Sequence, residues 1–191
     1  MSQTTLDIKE PGLNVLPPGV ERHVVNAGGL TGLQIFPDDE IEIINEEGNQ
    51  ICEIICFDKD GKSELGILNQ QENCKKSFIK ELLKGKDESS LITNLQLKKR
   101  NLDINKSKSS ILFDEQTPSG EKIKIKSKDK CYVIFAAPQN NMLVSEQNPS
   151  SDLTIFIKRY KIVNDKELSI IPDPIYEPNY EENIERQTAI S

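Results

Sequence analysis

Four cysteines, one histidine and a run of lysines are the side chains of this sequence whose types could do chemistry. Cys52, Cys56, Cys74 and Cys131 form no CxxC pair and no dense disulfide framework. Thiolates that hold a zinc ion each sit about 2.3 Å from it. If 51–57 is a strand, Cys52 and Cys56 share a face but stand about 13 Å apart, at about 3.3 Å per residue. Only one of them can then belong to a given metal site. Cys74 and Cys131 would have to converge on it, with a carboxylate or water completing the set. The plainer expectation is reduced, buried thiols that fill space like small apolar side chains, so no metal site is assigned.

The single histidine, His23, lies in VERHVVN. One histidine excludes a cupin-like set of metal histidines. A Ser-His-Asp triad would have to form around His23 without a GxSxG elbow. The glycines of AGGLTG (Gly28, Gly29, Gly32) do not match GxGxxG and precede a strand, so they predict a loop with positive φ and not a phosphate cradle. DKDGKSE carries acids at only the first two EF-hand ligand positions, and its glycine comes early, which predicts a turn. With 31 acidic residues, a carboxylate pair leaves no readable spacing in a β-protein. No complete active site, catalytic or cofactor-binding, is legible.

The net charge is −7, yet Lys98 to Lys130 holds ten basic against five acidic residues. An acidic whole argues against general nucleic-acid binding, which needs clustered positive charge. Lys122, Lys124, Lys126 and Lys128 keep an anionic ligand or partner open, although a lysine-lined strand is also a common guard of a sheet edge. No apolar run reaches about 18 residues, so no membrane span is expected. MSQTTLDIKEPG lacks the basic start and apolar core of a signal peptide, which points to the cytoplasm.

The elements that must position these residues are mostly strands. Short apolar runs broken by turn residues predict an antiparallel β-sandwich or barrel. Strands are expected over 20–25, 30–36, 40–44, 51–57, 111–113, 121–126, 131–137 and 153–160. Residues 51–57 and 131–137 are almost continuously apolar, which predicts cover on both faces. In 121–126 Ile123 and Ile125 alternate with lysines, which predicts one wet face. One helix is expected at about 73–84, capped by Asn73, ended near Gly85, with Cys74, Phe78, Ile79, Leu82 and Leu83 on one stripe. Residues 1–12 read as a flexible start, 13–171 as a single β domain, and 172–191, rich in Pro and Glu, as an extended linker or docking tail. Apolar residues return at the last positions, as expected of the first part of a longer polypeptide or of a tail that docks on a partner.

The stretch LPPGVERHVVNAGGLTGLQIFPDDEIEIINEEGNQICEIICFD resembles the β-rich urea-carboxylase-associated domain. That domain also occurs in trimethylamine N-oxide demethylases, attached to a folate-binding module like the glycine-cleavage T-protein. The shared features are the Pro18-Gly19 entry, a strand introduced by Asp39, alternating Ile41 and Ile43, the turn Gly48-x-Gln50, and an apolar strand closing in Phe57-Asp58. In that family a metal-binding cysteine follows the turn glutamine, with an aspartate two positions further on. Here those positions hold Ile51 and Glu53, so no metal site carries over.

The resemblance implies a non-catalytic structural or assembly β-domain, the N-terminal part of a multidomain demethylase or aminomethyltransferase-like one-carbon enzyme. Its partners would be a downstream catalytic domain or other subunits, homo-oligomers included. It implies no cofactor in this chain, and tetrahydrofolate only in a downstream domain. The alternative is a stand-alone metal-dependent enzyme or small-ligand-binding β-barrel that uses Cys52, Cys74, Cys131 and nearby acids.

Overall fold

Alternating stretches of this sequence become strands with one wet face, and unbroken apolar stretches become strands covered on both. The computed structural model describes residues 16–139 and 150–160. These contain β1 (Val20–Val25), β2 (Leu30–Ile35), β3 (Glu40–Asn45), β4 (Cys52–Asp58), β5 (Ser109–Phe113), β6 (Glu121–Lys126), β7 (Cys131–Ala136) and β8 (Leu153–Lys158). They form two four-stranded antiparallel sheets, ordered β1-β8-β3-β6 and β2-β7-β4-β5. The fold is thus the mainly-β sandwich that the sequence predicts, and neither sheet closes into a barrel.

The inner faces enclose one core. Ile41, Ile43, Ile155, Ile157 and Leu153 from the first sheet meet Cys52, Ile54, Cys56, Val133 and Phe135 from the second. The second sheet has another apolar layer on its far side, where Ile55, Phe57, Tyr132 and Ile134 pack on Ile79, Leu83 and Leu97. That layer fulfils the expected double cover of 51–57 and 131–137. β6 lies at an edge of the first sheet with its lysines exposed, so the edge-guard reading fits its place.

Two helices make the far layer, α1 (Phe78–Leu82) and α2 (Glu88–Lys99). This corrects the expectation of one helix over 73–84. The cap of α1 is Ser77, whose hydroxyl accepts from the Lys80 amide at 3.3 Å. Asn73 is instead bonded to the edge strand β5. Its Oδ1 accepts from the Ile111 amide at 2.6 Å and its Nδ2 donates to the Ile111 carbonyl at 3.0 Å. Cys74 is half-buried outside the helix, and its thiol donates to the Lys76 carbonyl at 3.1 Å.

α2 occupies what reads as a polar stretch. Asp87 caps it, accepting from the Ser90 amide at 3.1 Å. Its buried positions are Ser90, Thr93 and Leu97, so small hydroxyls and not an apolar stripe face the sheet. Hydrogen bonds seat it there: the Ser90 hydroxyl reaches the Leu82 carbonyl at 2.8 Å, and Asn94 Nδ2 donates to the Leu83 carbonyl at 2.8 Å. Gly32 on β2 permits the close approach. A Cβ at that position would stand 1.8 Å from Tyr132 Oη, which donates to Gln96 of α2. Among the described residues no helix is long and apolar enough to cross a membrane. The expectations for 1–12 and 172–191 lie outside the described residues.

Candidate functional site

Arg159, just past the end of β8, gathers the most connected charged cluster. Its Nε and Nη2 donate to the two Glu21 carboxylate oxygens at 2.7 and 2.9 Å. Its Nη1 donates to Asp39 Oδ2 at 2.5 Å and to the Gln34 carbonyl at 3.0 Å. Asp39 is buried and also accepts from the amides of Phe36 and Tyr160, at 3.0 and 3.2 Å. His23 joins through Nε2, 3.1 Å from Glu21 Oε2. The hydrogen bond from His23, then Arg159, holds the Glu21 carboxyl at about 2. His23 therefore sits beside a carboxylate and not a serine, and the cluster ties β1, β2, the β2–β3 turn and the end of β8 together. Asp39 was legible as a strand-opening residue. Arg159 and Glu21 carried no signal, because their pairing spans almost the whole fold.

The cysteines separate into three places. Cys131 lies opposite Asp58 on β4, six residues beyond Cys52, hence about 20 Å from it at about 3.3 Å per residue. Cys74 lies in the segment before α1, outside both core layers. The metal set of Cys52, Cys74 and Cys131 therefore does not assemble. No three His, Cys, Asp or Glu side chains gather into a metal-holding group among the described residues. Cys56 and Cys131 do meet, as diagonal neighbours on the inner face, and Cys131 Sγ also lies 3.6 Å from the Ser127 hydroxyl. Donation to Cys131 and burial push the Cys56 thiol far above its ordinary range, and burial does the same to Cys52. These two thiols are thus held protonated, whereas donation from Cys56 lowers the Cys131 thiol.

At the opposite end of the sandwich from Arg159 lies the turn that carries the family resemblance. Gln50 is buried; its Nε2 donates to the carbonyls of Ile51 and Pro138 at 3.0 and 2.8 Å. Its Oε1 accepts from the Ser151 amide at 2.8 Å, and Asn45 Nδ2 donates to its carbonyl at 2.9 Å. The turn glutamine thus pins the entry of β4 to the strands beside it. Ile51 and Glu53 follow on the face of β4 that looks toward α1. Glu53 is wholly buried, and its Oε2 accepts from the Ile79 amide at 2.9 Å. Its Oε1 has no partner among the described residues. Ile51, with Phe78 and Ile111, lines a small cleft of about 370 Å³. α1 therefore closes over Glu53, and its Phe78 borders the cleft that Ile51 lines.

The remaining predicted features are structural. Lys124 pairs with Glu42 at 3.3 Å and Lys126 with Asp38 at 3.1 Å, so these lysines are partly neutralised where an anion would bind. Asp58 Oδ1 accepts from the amides of Asp60 and Lys62, so the DKDG segment is a closed turn. Gly28 has φ +75° in the β1–β2 turn, as expected, whereas Gly29 has no positive φ and Gly32 lies within β2. That turn, α1 and the start of α2 line a cleft of about 660 Å³ whose charged lining residues, Glu81, Asp87 and Glu88, are all acidic. Asp87 is consumed by the serines of its own cap, with Ser89 and then Ser90 holding its carboxyl at about 2. Glu81 is paired with Lys76 at 3.0 Å.

No family model matches the chain. Trimethylamine-oxide aldolase of Ruegeria pomeroyi is 31% identical to it over 182 residues. The match covers 95% of this chain and 23% of that protein, so the chain spans less than a quarter of the length of the curated relative it matches. The chain is thus related to one segment of a trimethylamine-oxide aldolase.

Proposed function

We propose that this chain is a non-catalytic assembly domain of a larger, cytoplasmic demethylase, working beside a catalytic part that handles a methylated amine oxide. The observation that carries the reading is the extent of the likeness: nearly the whole chain matches a minor fraction of trimethylamine-oxide aldolase. The positions where the related domain places metal support it. Here they hold Ile51 and the sealed Glu53, which α1 closes over. A carboxylate with no solvent access cannot exchange protons with a substrate. In this reading catalysis, and any tetrahydrofolate, belong to an aminomethyltransferase-like domain downstream. The chain contributes a rigid β platform that packs against that domain or between subunits.

Elemental analysis and a turnover assay test this. The purified chain is expected to hold no stoichiometric zinc or iron and to leave trimethylamine N-oxide unconsumed, with or without added metal. Co-expressed with a catalytic part, it is expected to co-purify with it. About one metal per chain, together with turnover by the chain alone, would replace this reading with the metal-enzyme one.

A further inference from the structure

α2 turns two of its three leucines away from the core. Ser90, Thr93 and Leu97 face the sheet, whereas Leu91 and Leu95 stand 52% and 63% exposed. The outer row reads Glu88, Leu91, Leu95, Lys98, with all four exposed. The spacing of three, four and three residues keeps them on one side of the helix. Glu88 and Lys98 have no ion pair among the described residues. The polar side chains on the flank toward the sheet are engaged: Asn94 with Leu83, Gln96 with Tyr132.

The row is also symmetric about the level of Thr93. Leu91 and Leu95 lie two residues to either side, and Glu88 and Lys98 five residues to either side. A two-fold axis at that level would lay a second α2 antiparallel on the first. Leu91 would then meet Leu95 of the second copy, and Glu88 would meet its Lys98, each contact occurring twice. We propose that this face of α2 is a homodimer interface, in which the helix packs antiparallel on α2 of a second copy of the chain. The charge pattern selects this occupant, because acid at one end and base at the other complement themselves only in the antiparallel sense. One helix face covers less than the about 800 Å² per partner of a standard stable interface. The dimer is therefore reversible and appears at high concentration. The proposal rests on α2 alone and is independent of the demethylase reading.

Sedimentation equilibrium of the full chain between about 10 μM and about 1 mM tests it. The weight-average mass is expected to climb from monomer toward dimer. Leu95→Asp should hold the chain monomeric. Glu88→Lys should weaken association about tenfold at low salt, since two rim attractions become repulsions. The double variant Glu88→Lys/Lys98→Glu should restore it. All of these positions are exposed, so cooperative thermal melts lowered by no more than the small cost of the helix-end charges are expected for each variant and exclude misfolding. A mass that stays monomeric over the whole range overturns the proposal, even if Leu95→Asp then abolishes binding of a different protein. So does a dimer that ignores Leu95→Asp or that the double charge exchange fails to restore.

Discussion

The two sheets of this sandwich have strands of similar length and one common core, but they meet opposite surroundings on their outer faces. In β4 and β7 nearly every side chain is buried, whereas β6 buries only Ile125. The first pair lies between the core and the helices, and β6 borders water. Polar groups follow suit. The charges on the outer face of the first sheet, such as Glu42 and Lys124, form exposed pairs that contribute little. Glu53 in the second sheet is wholly enclosed and depends on one backbone amide. A strand's apolar content therefore reports how many of its faces are covered. It also shows where an unusual polar residue has to be explained by its neighbours and not by solvent.

A charge placed on each outer face should separate the two sheets most sharply. Ile134→Lys, beneath the helices, would bury an unpaired cation and cost on the order of 5 kcal/mol or more, leaving the chain unfolded. Phe156→Lys, on the outer face of the first sheet, should cost about 1 kcal/mol in urea denaturation. Equal losses would refute the contrast. The next largest effect concerns the one place where the first sheet does bury charge. Arg159→Met strands Asp39 and should cost about 3 kcal/mol, part of which Asp39→Asn recovers in the double variant.

Gly32→Ala probes the helix layer from beneath. Its Cβ would press on the Tyr132 ring and displace the hydroxyl from Gln96, costing about 2 kcal/mol in thermal melts. The smallest effect is a pH limb. Glu21 is depressed from its ordinary 4.5 to about 2, so the stability it confers is complete above about 4.5 and is lost as pH falls toward 2. Glu21→Gln should flatten that limb in acid-denaturation curves. The shift in midpoint should be modest, because the side chain is 39% exposed and screened.

The strands and turns were legible because period-two alternation and Gly, Pro and Asp punctuation act locally. Unbroken apolar runs also foretold the double cover of β4 and β7. α2 was not legible. Two of its three inward positions are the small hydroxyl residues Ser90 and Thr93, and two of its three leucines point out, so no amphipathic stripe exists to be read. The boundary of α1 was misplaced for a related reason. Asn73 and Ser77 are both good caps, and only pairing with Ile111, a distant residue, decides between them. Of the candidate site, the turn glutamine and the exchanged positions at Ile51 and Glu53 were visible. That α1 closes over Glu53 depends on tertiary contact, as does the meeting of Cys56 with Cys131.

β8 comes last of the described strands in the sequence, yet it sits second in its sheet and bonds to both β1 and β3. A nascent chain that has left the ribosome only as far as β7 therefore has β1 with no partner and β3 with one bare side. Neither can be satisfied until residues 153–158 are translated, and contacts this far apart in sequence close slowly. During that interval the backbone edges of β1 and β3 that β8 will occupy are unpaired. Among the described strands, the order of synthesis thus leaves the first sheet incomplete until residues 153–158 have emerged.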